Sequence, residues 1–218
     1  QQILVDSVAK YVKNDSPVER FRKQRETERG YELDAWARMG EMGWLGVAFP
    51  EEHGGFGGRF ADLALILEQL GRGLVPEPMI ASVVLAGGLL SRLGSTEQVK
   101  TFLEPMIEGR TTLAFAYAER QGRYQLHDCA TRAERRGAGF GISGEKVWVL
   151  NGHAADHVVV VARTSGSQSD TAGLSLFVVD ADAPGLTRTR VPTMDGQRCG
   201  LLRFENVAVG ADRLFGAE

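Results

Sequence analysis

Near residue 111 the spacing of apolar residues changes from about 3.6 to about 2, and that change constrains the fold more than any other feature of the chain. Upstream, Leu4, Val8, Tyr11 and Val12 share one helical face, as do Phe60, Leu63, Ala64, Leu67 and Leu70. In "STEQVKTFLEPMIEG", Ser95 is an N-cap with Gln98 as its reciprocal partner, and Val99, Phe102, Leu103, Met106 and Ile107 continue one stripe to Gly109. Pro105 is expected to disturb the last turn, because it has no N–H to donate. Downstream, period-2 runs predict strands at 112–118, 126–134, 139–150, 156–163, 173–180, 186–191 and 199–207, separated by the turn-forming "RRGAG", "TSGSQSD" and "DAPG". "DHVVVVART" shows no polar alternation, so that strand is expected to be covered on both faces. The fold class predicted is α+β: an all-helical N-terminal domain, residues 1–110, followed by an antiparallel β-barrel or sandwich domain, residues 111–218.

Charge and composition exclude several functions. A net charge of −3 lacks the Lys and Arg excess of a nucleic-acid binder. The longest apolar stretch, "MIASVVLAGGLLSRLG", is broken by Ser82, Gly87, Gly88, Ser91 and Arg92 and falls short of the ~20 apolar residues of a membrane span, so it reads as a buried helix. Cys129 and Cys199 have no metal-ligand spacing and are read as free thiols, which places the protein in a reducing cytoplasm; no metal site is assigned. The chain starts at Gln1 with no signal-peptide pattern, and the natural protein is expected to extend past both ends.

"LAFAYAER" sets Leu113, Phe115 and Tyr117 on one strand face and Ala114, Ala116 and Ala118 on the other. The alanine face is expected to be a bare strip on which a flat ligand lies beside exposed strand amides.

Several segments, in order, resemble the acyl-CoA dehydrogenase family. "WARMGEMGWLGVAFPEEHGGFGG" is similar to its helix and "PEeyGG" loop, with Glu51, Glu52, His53, Gly54 and Gly55 in that loop. "ILEQLGRGLV" resembles the "meeLgr" helix, "LAFAYAER" the "tEP" strand, and "ISGEKVWVLNGHAADHVVVVART" the "G.K.wItNg..ad" strands. "FENVAVGADRLFGAE" is similar to the segment that ends the family's middle β-domain. The resemblance implies an FAD enzyme that oxidises acyl-CoA thioesters to α,β-enoyl thioesters and passes electrons to an electron-transfer flavoprotein. It assigns the cofactor to Phe115, Tyr117, Ala118, Arg123, Tyr124, Trp148, Val149 and Leu150. It also implies a homo-oligomer, or a heteromer with a homologous subunit. In the family the catalytic glutamate comes from a C-terminal helical bundle; that bundle is absent here, so no catalytic residue is assigned and this fragment alone is expected to be inactive.

The departures are specific. The family's "EPGaGSD" run reads Glu119, Arg120, Gln121, Gly122, Arg123, Tyr124 here, with Arg120 or Arg123 as guanidinium partners for the cofactor phosphates. "ERQGRYQLHD" resembles small subunits of pimeloyl-CoA dehydrogenase. Leu150 stands where most members place a Ser or Thr hydroxyl at flavin N5, and Ala118 replaces a threonine at the flavin edge. These losses support an alternative, an auxiliary subunit of a heteromeric dehydrogenase; a flavin monooxygenase or oxidase on the same scaffold is another. Glu119, beside Arg120 and Arg123, is expected to be an ion-pair partner or a loop hydrogen-bonder, His53 to be solvent-exposed or to make a loop hydrogen bond, and Arg132, Arg135 and Arg136 to flank a solvated hairpin.

Overall fold

The computed structural model describes residues 1–216; as far as Ile107 the regular elements are all helices, joined by loops, and strands begin at Leu113. Helices α1 (Gln2–Asp15), α2 (Val18–Gln24), α3 (Leu33–Glu41) and α4 (Phe60–Arg72) come first, and their apolar stripes bring Val8, Tyr11, Trp36, Met39, Ile66 and Leu70 into one core. The long apolar stretch is helical and largely buried, as expected: a π-type segment, Met79–Gly87, runs into α5 (Gly88–Leu93). Next, α6 (Thr96–Gln98), a second π-type segment Val99–Leu103 and α7 (Glu104–Ile107) follow without a break. The Ser95–Gln98 capping box is formed, with Ser95 Oγ accepting from the Gln98 amide and Gln98 Oε1 from the Ser95 amide. The disturbance expected at Pro105 takes the form of the π-type stretch just ahead of it, whose wider spacing precedes a residue with no N–H.

The strands are β1 (Leu113–Ala116), β2 (Arg132–Arg136), β3 (Gly139–Leu150), β4 (His157–Arg163), β5 (Leu174–Asp180), β6 (Leu186–Pro192), β7 (Arg198–Gly210) and the short β8 (Leu214–Phe215). They form one sheet in the order β6-β7-β3-β2-β4-β5-β8, with β1 beside β4. Pairing is antiparallel except where β1 and β2 each meet β4. The edge strand β6 carries Arg188, Arg190 and Pro192, which discourage further strand addition.

Two expectations are corrected. The strand read at 126–134 begins only at Arg132, because three backbone amides before it are taken elsewhere. Cys129 N donates to Gln168 O, and Ala130 N and Thr131 N donate to the Glu119 carboxylate. The alanine face is no open strip either. Ala114 and Ala116 are fully buried in the interior of the sheet with Ala133, Phe140, Val158 and Phe177. Their small side chains leave space for Phe140 and Phe177, whose rings meet edge to face at 5.0 Å.

The helical core does not stop at the helices. It takes in Leu113, Val159, Val178 and Phe215 from the sheet. Strand β4 belongs to both cores, since Val159 faces the helices while Val158 and Val160 face the sheet interior, as its unbroken apolar run predicts. Hydrogen bonds cross the same seam: Trp36 Nε1 to Thr111 O at 2.9 Å, Ser82 Oγ to Leu113 O at 2.8 Å, and Gln98 Nε2 to Asp212 O at 2.7 Å and Leu214 O at 2.8 Å. Among the described residues no helix is long and apolar enough to cross a membrane.

Candidate functional site

The local geometry of β3 creates an exposed aromatic ledge. Lys146 pairs with Leu202 and Val149 with Gly200, so three steps along β3 match two along β7. One residue is extra, and such a β-bulge breaks the inward–outward alternation and re-aims side chains. Lys146 and Val147 are consequently both buried, and Trp148 turns outward, 60% exposed, with φ 55°. A left-handed backbone is costly for a bulky residue, on the order of 1–3 kcal/mol, and persists only where surrounding structure enforces it.

Five of the eight residues assigned from the sequence contribute to this ledge or its backbone. Tyr117 and Leu150 are 41% and 42% exposed. Phe115 stacks on Tyr117, with ring centroids 5.1 Å apart and planes 29° from parallel. Ala118 joins the two segments by accepting from Val147 N at 2.9 Å. The ledge thus rises on the side of β1 opposite to the buried alanines Ala114 and Ala116. Of the other three residues, Val149 turns its side chain into the sheet interior. Arg123 and Tyr124 stand in the loop after Glu119, Arg123 exposed with φ 47° and Tyr124 99% exposed.

Under the ledge lies a buried polar cluster. Lys146 Nζ reaches Glu119 Oε1 at 2.7 Å, and Cys129 Sγ lies 3.4 Å from that oxygen and 3.5 Å from the ammonium nitrogen. Glu119 also accepts from Ala130 N, Thr131 N and Gln121 Nε2. Burial alone would raise the Glu119 pKa, but the Lys146 charge and these hydrogen bonds outweigh it and bring it down to about 2. Glu119 thus makes loop hydrogen bonds, as one of its two expected roles had it, while its ion pair is with Lys146 and not with Arg120 or Arg123. Burial pushes the Cys129 thiol up, as it does Cys199.

Arg163, fully buried, fastens the neighbouring loops through carbonyl groups alone. It donates to His127 O and Cys129 O on one side and to Ser165 O, Gln168 O, Asp170 O and Ala172 O on the other. The sequence reading missed both Lys146 and Arg163 as key residues. The available signal was a full positive charge inside an apolar strand run, which requires a buried partner. His53 is partly buried and makes its bond across the fold, Nδ1 to Ser91 Oγ of α5 at 3.0 Å, rather than within its own loop.

Two clefts adjoin the ledge residues. One of about 340 Å³ between helices and sheet is lined by Tyr31, Leu67, Met79, Leu150 and Asn151. Another of about 480 Å³ is lined by Phe49, Phe60, Val84, Leu89 and Phe115.

Comparison with known proteins gives the setting. Residues 1–110 match the acyl-CoA dehydrogenase N-terminal domain, and residues 114–207 match the acyl-CoA dehydrogenase middle domain. The acyl-CoA dehydrogenase FadE12 of Mycobacterium tuberculosis is 33% identical across the whole of this chain, which covers 56% of that relative. Among solved structures, the Tcur3481-Tcur3483 steroid ACAD is similar at a TM-score of 0.89 with 26% identity, over 99% of this chain and 56% of that one. The ChsE4-ChsE5 complex from Mycobacterium tuberculosis gives a TM-score of 0.86 with 28% identity, over 98% and 56%. The chain spans about half the length of the curated relatives it matches.

Proposed function

This chain belongs to the acyl-CoA dehydrogenase family, and from that premise we propose that it carries the FAD-binding ledge of an enzyme that dehydrogenates an acyl-CoA thioester at Cα–Cβ. The carrying observation is Trp148, a large aromatic held outward in a strained left-handed conformation beside exposed Tyr117. Flat apolar faces next to strand amides suit a planar ring system with a polar edge. Phe115, Tyr117, Ala118, Trp148 and Leu150 hold the ring in this reading, Val149 contributes backbone only, and exposed Arg123 and Tyr124 serve the phosphate end through guanidinium pairing and stacking. FAD, when bound, supplies the two-electron acceptor for the reaction, with electrons passing on to an electron-transfer flavoprotein.

What the chain's own residues do is bind and orient. The two clefts next to Leu150 and Phe115 offer apolar walls for an acyl group. Glu119 is no proton acceptor: it is buried, ionised and committed to Lys146, Ala130 and Thr131. The free thiols Cys129 and Cys199 fit a cytoplasmic setting.

The test is a titration of the protein with FAD, read by flavin fluorescence and by quenching of Trp148. Stoichiometric binding that weakens about tenfold in Trp148→Ala is expected, the upper part of the range for a lost aromatic stack. Equal affinity in the variant, or no binding by the wild type, would count against the reading. A panel of acyl-CoA thioesters added anaerobically then identifies substrate by flavin bleaching.

A second reading is favoured by Ala118 and Leu150, which bring no hydroxyl to the ledge. In it the chain is one subunit of a heteromeric dehydrogenase and depends on a homologous partner for turnover. Co-purification with such a partner, and bleaching only in its presence, separates the two.

A further inference from the structure

The buried charge cluster under the ledge has no part in the chemistry proposed above. Lys146 and Glu119 are almost wholly enclosed, with Nζ 2.7 Å from Oε1. Pairs of this kind commonly add nothing to stability over apolar side chains of the same volume, because desolvating two ions offsets their attraction. Another reason for the pair lies in its connections. Besides Glu119, Lys146 Nζ reaches Tyr117 O at 3.4 Å, and the next amide, Val147 N, donates to Ala118 O at 2.9 Å. Three contacts thus clamp residues 117–119 to residues 146–147. Each clamped segment carries or adjoins an outward aromatic, Tyr117 on one and Trp148 on the other.

The clamp sits where the sheet supplies least. The register of β3 with β7 lapses between Lys146 and Val149, so that ladder does not fix the residues leading into Trp148. The carboxylate is anchored from behind by Ala130 N, Thr131 N and Gln121 Nε2, which makes it a fixed post against which Lys146 is drawn.

We infer that Lys146 and Glu119 are positioning residues, which act through the backbone to hold the rings of Tyr117 and Trp148 in place for the cofactor. The cofactor part of this inference rests on the FAD reading above; the ring-holding part does not.

The test replaces both charges at once, in Lys146→Met/Glu119→Gln. Glutamine keeps one acceptor oxygen, enough for either the Ala130 or the Thr131 amide, and methionine matches the volume of lysine. Two properties are then read at matched folding, confirmed by circular dichroism and thermal melting. The first is the fast local component of tryptophan anisotropy, which reports Trp148 because Trp36 and Trp44 are buried. The second is FAD affinity. A melting temperature near that of the wild type, a fast component at least doubled and flavin binding at least tenfold weaker are the expected results.

A folded double variant whose Trp148 is as restrained as in the wild type overturns the inference. So does one with looser Trp148 and undiminished flavin affinity. If the wild type itself takes up no FAD, the cofactor reading fails and the anisotropy alone decides whether the clamp holds the ring. Should the double variant not fold, Lys146→Met alone, which leaves the carboxylate its Ala130, Thr131 and Gln121 donors, replaces it with the same two readouts and the same outcomes.

Discussion

Trp148 and Trp36 show how one residue type carries opposite work. Trp36 is fully buried and its indole N–H donates to Thr111 O at 2.9 Å, whereas Trp148 faces outward on a strained backbone. Trp36→Ala should cost about 3–5 kcal/mol of stability and Trp148→Ala less than about 1 kcal/mol, as checked by urea unfolding. Glu119 offers a second prediction at this scale. Its pKa falls from an ordinary 4.5 to about 2 on folding, since Lys146 and the backbone amides overcome the cost of burial. Between those values the unfolded chain holds the proton and the native chain does not. The contribution of Glu119 to stability is therefore complete above about pH 4.5 and is lost as pH falls toward 2, at up to ~1.4 kcal/mol per pH unit. Urea midpoints measured from pH 6 down to the acid limit should show this slope, and Glu119→Gln should flatten it; an unchanged slope would remove Glu119 as its source.

The elements near the ledge depend on side chains that a pattern of hydrophobicity cannot show. Arg163 ties two loops through six carbonyl groups, so Arg163→Met removes a donor from each, with Gln168 O keeping the Cys129 amide. A loss of about 3–5 kcal/mol is expected, with faster amide exchange confined first to residues 127–130 and 165–172. Much of the architecture was legible beforehand: the capping box at Ser95, the four-valine strand covered on both faces, and the period change at the helix-to-sheet junction all have local causes. The start of β2 was not legible, because amides at Ala130 and Thr131 bond to a carboxylate 11 and 12 residues away in sequence. Nor was the orientation of β1. Alternation shows that Ala114 and Ala116 share a face with each other, but which face enters the sheet interior and which meets the helices depends on Phe140 and Phe177 arriving from other strands. At the candidate site, Trp148 could be picked out by resemblance, while the bulge that exposes it is a property of its pairing with β7.

At the scale of the whole molecule, helices and sheet are parts of one packed body. Leu113, Val159, Val178 and Phe215 complete the core begun by α1, α3 and α4, and Gln98 holds the backbone before and within β8 from the helical side. A single thermal transition should follow, with far-ultraviolet circular dichroism and buried-tryptophan fluorescence melting together. Two separated transitions would show the halves to be independent. Residues 1–110 expressed alone should give a loosely packed, dye-binding state, since the helical surfaces that meet β4 and β5 would be open to water. The position of Phe215 in that core also has a bearing on the order of events during synthesis. A ribosome must release the chain through β8 before the helical core acquires Phe215, so chaperones that shield nascent chains meet unfinished apolar surface on that core until β8 has emerged.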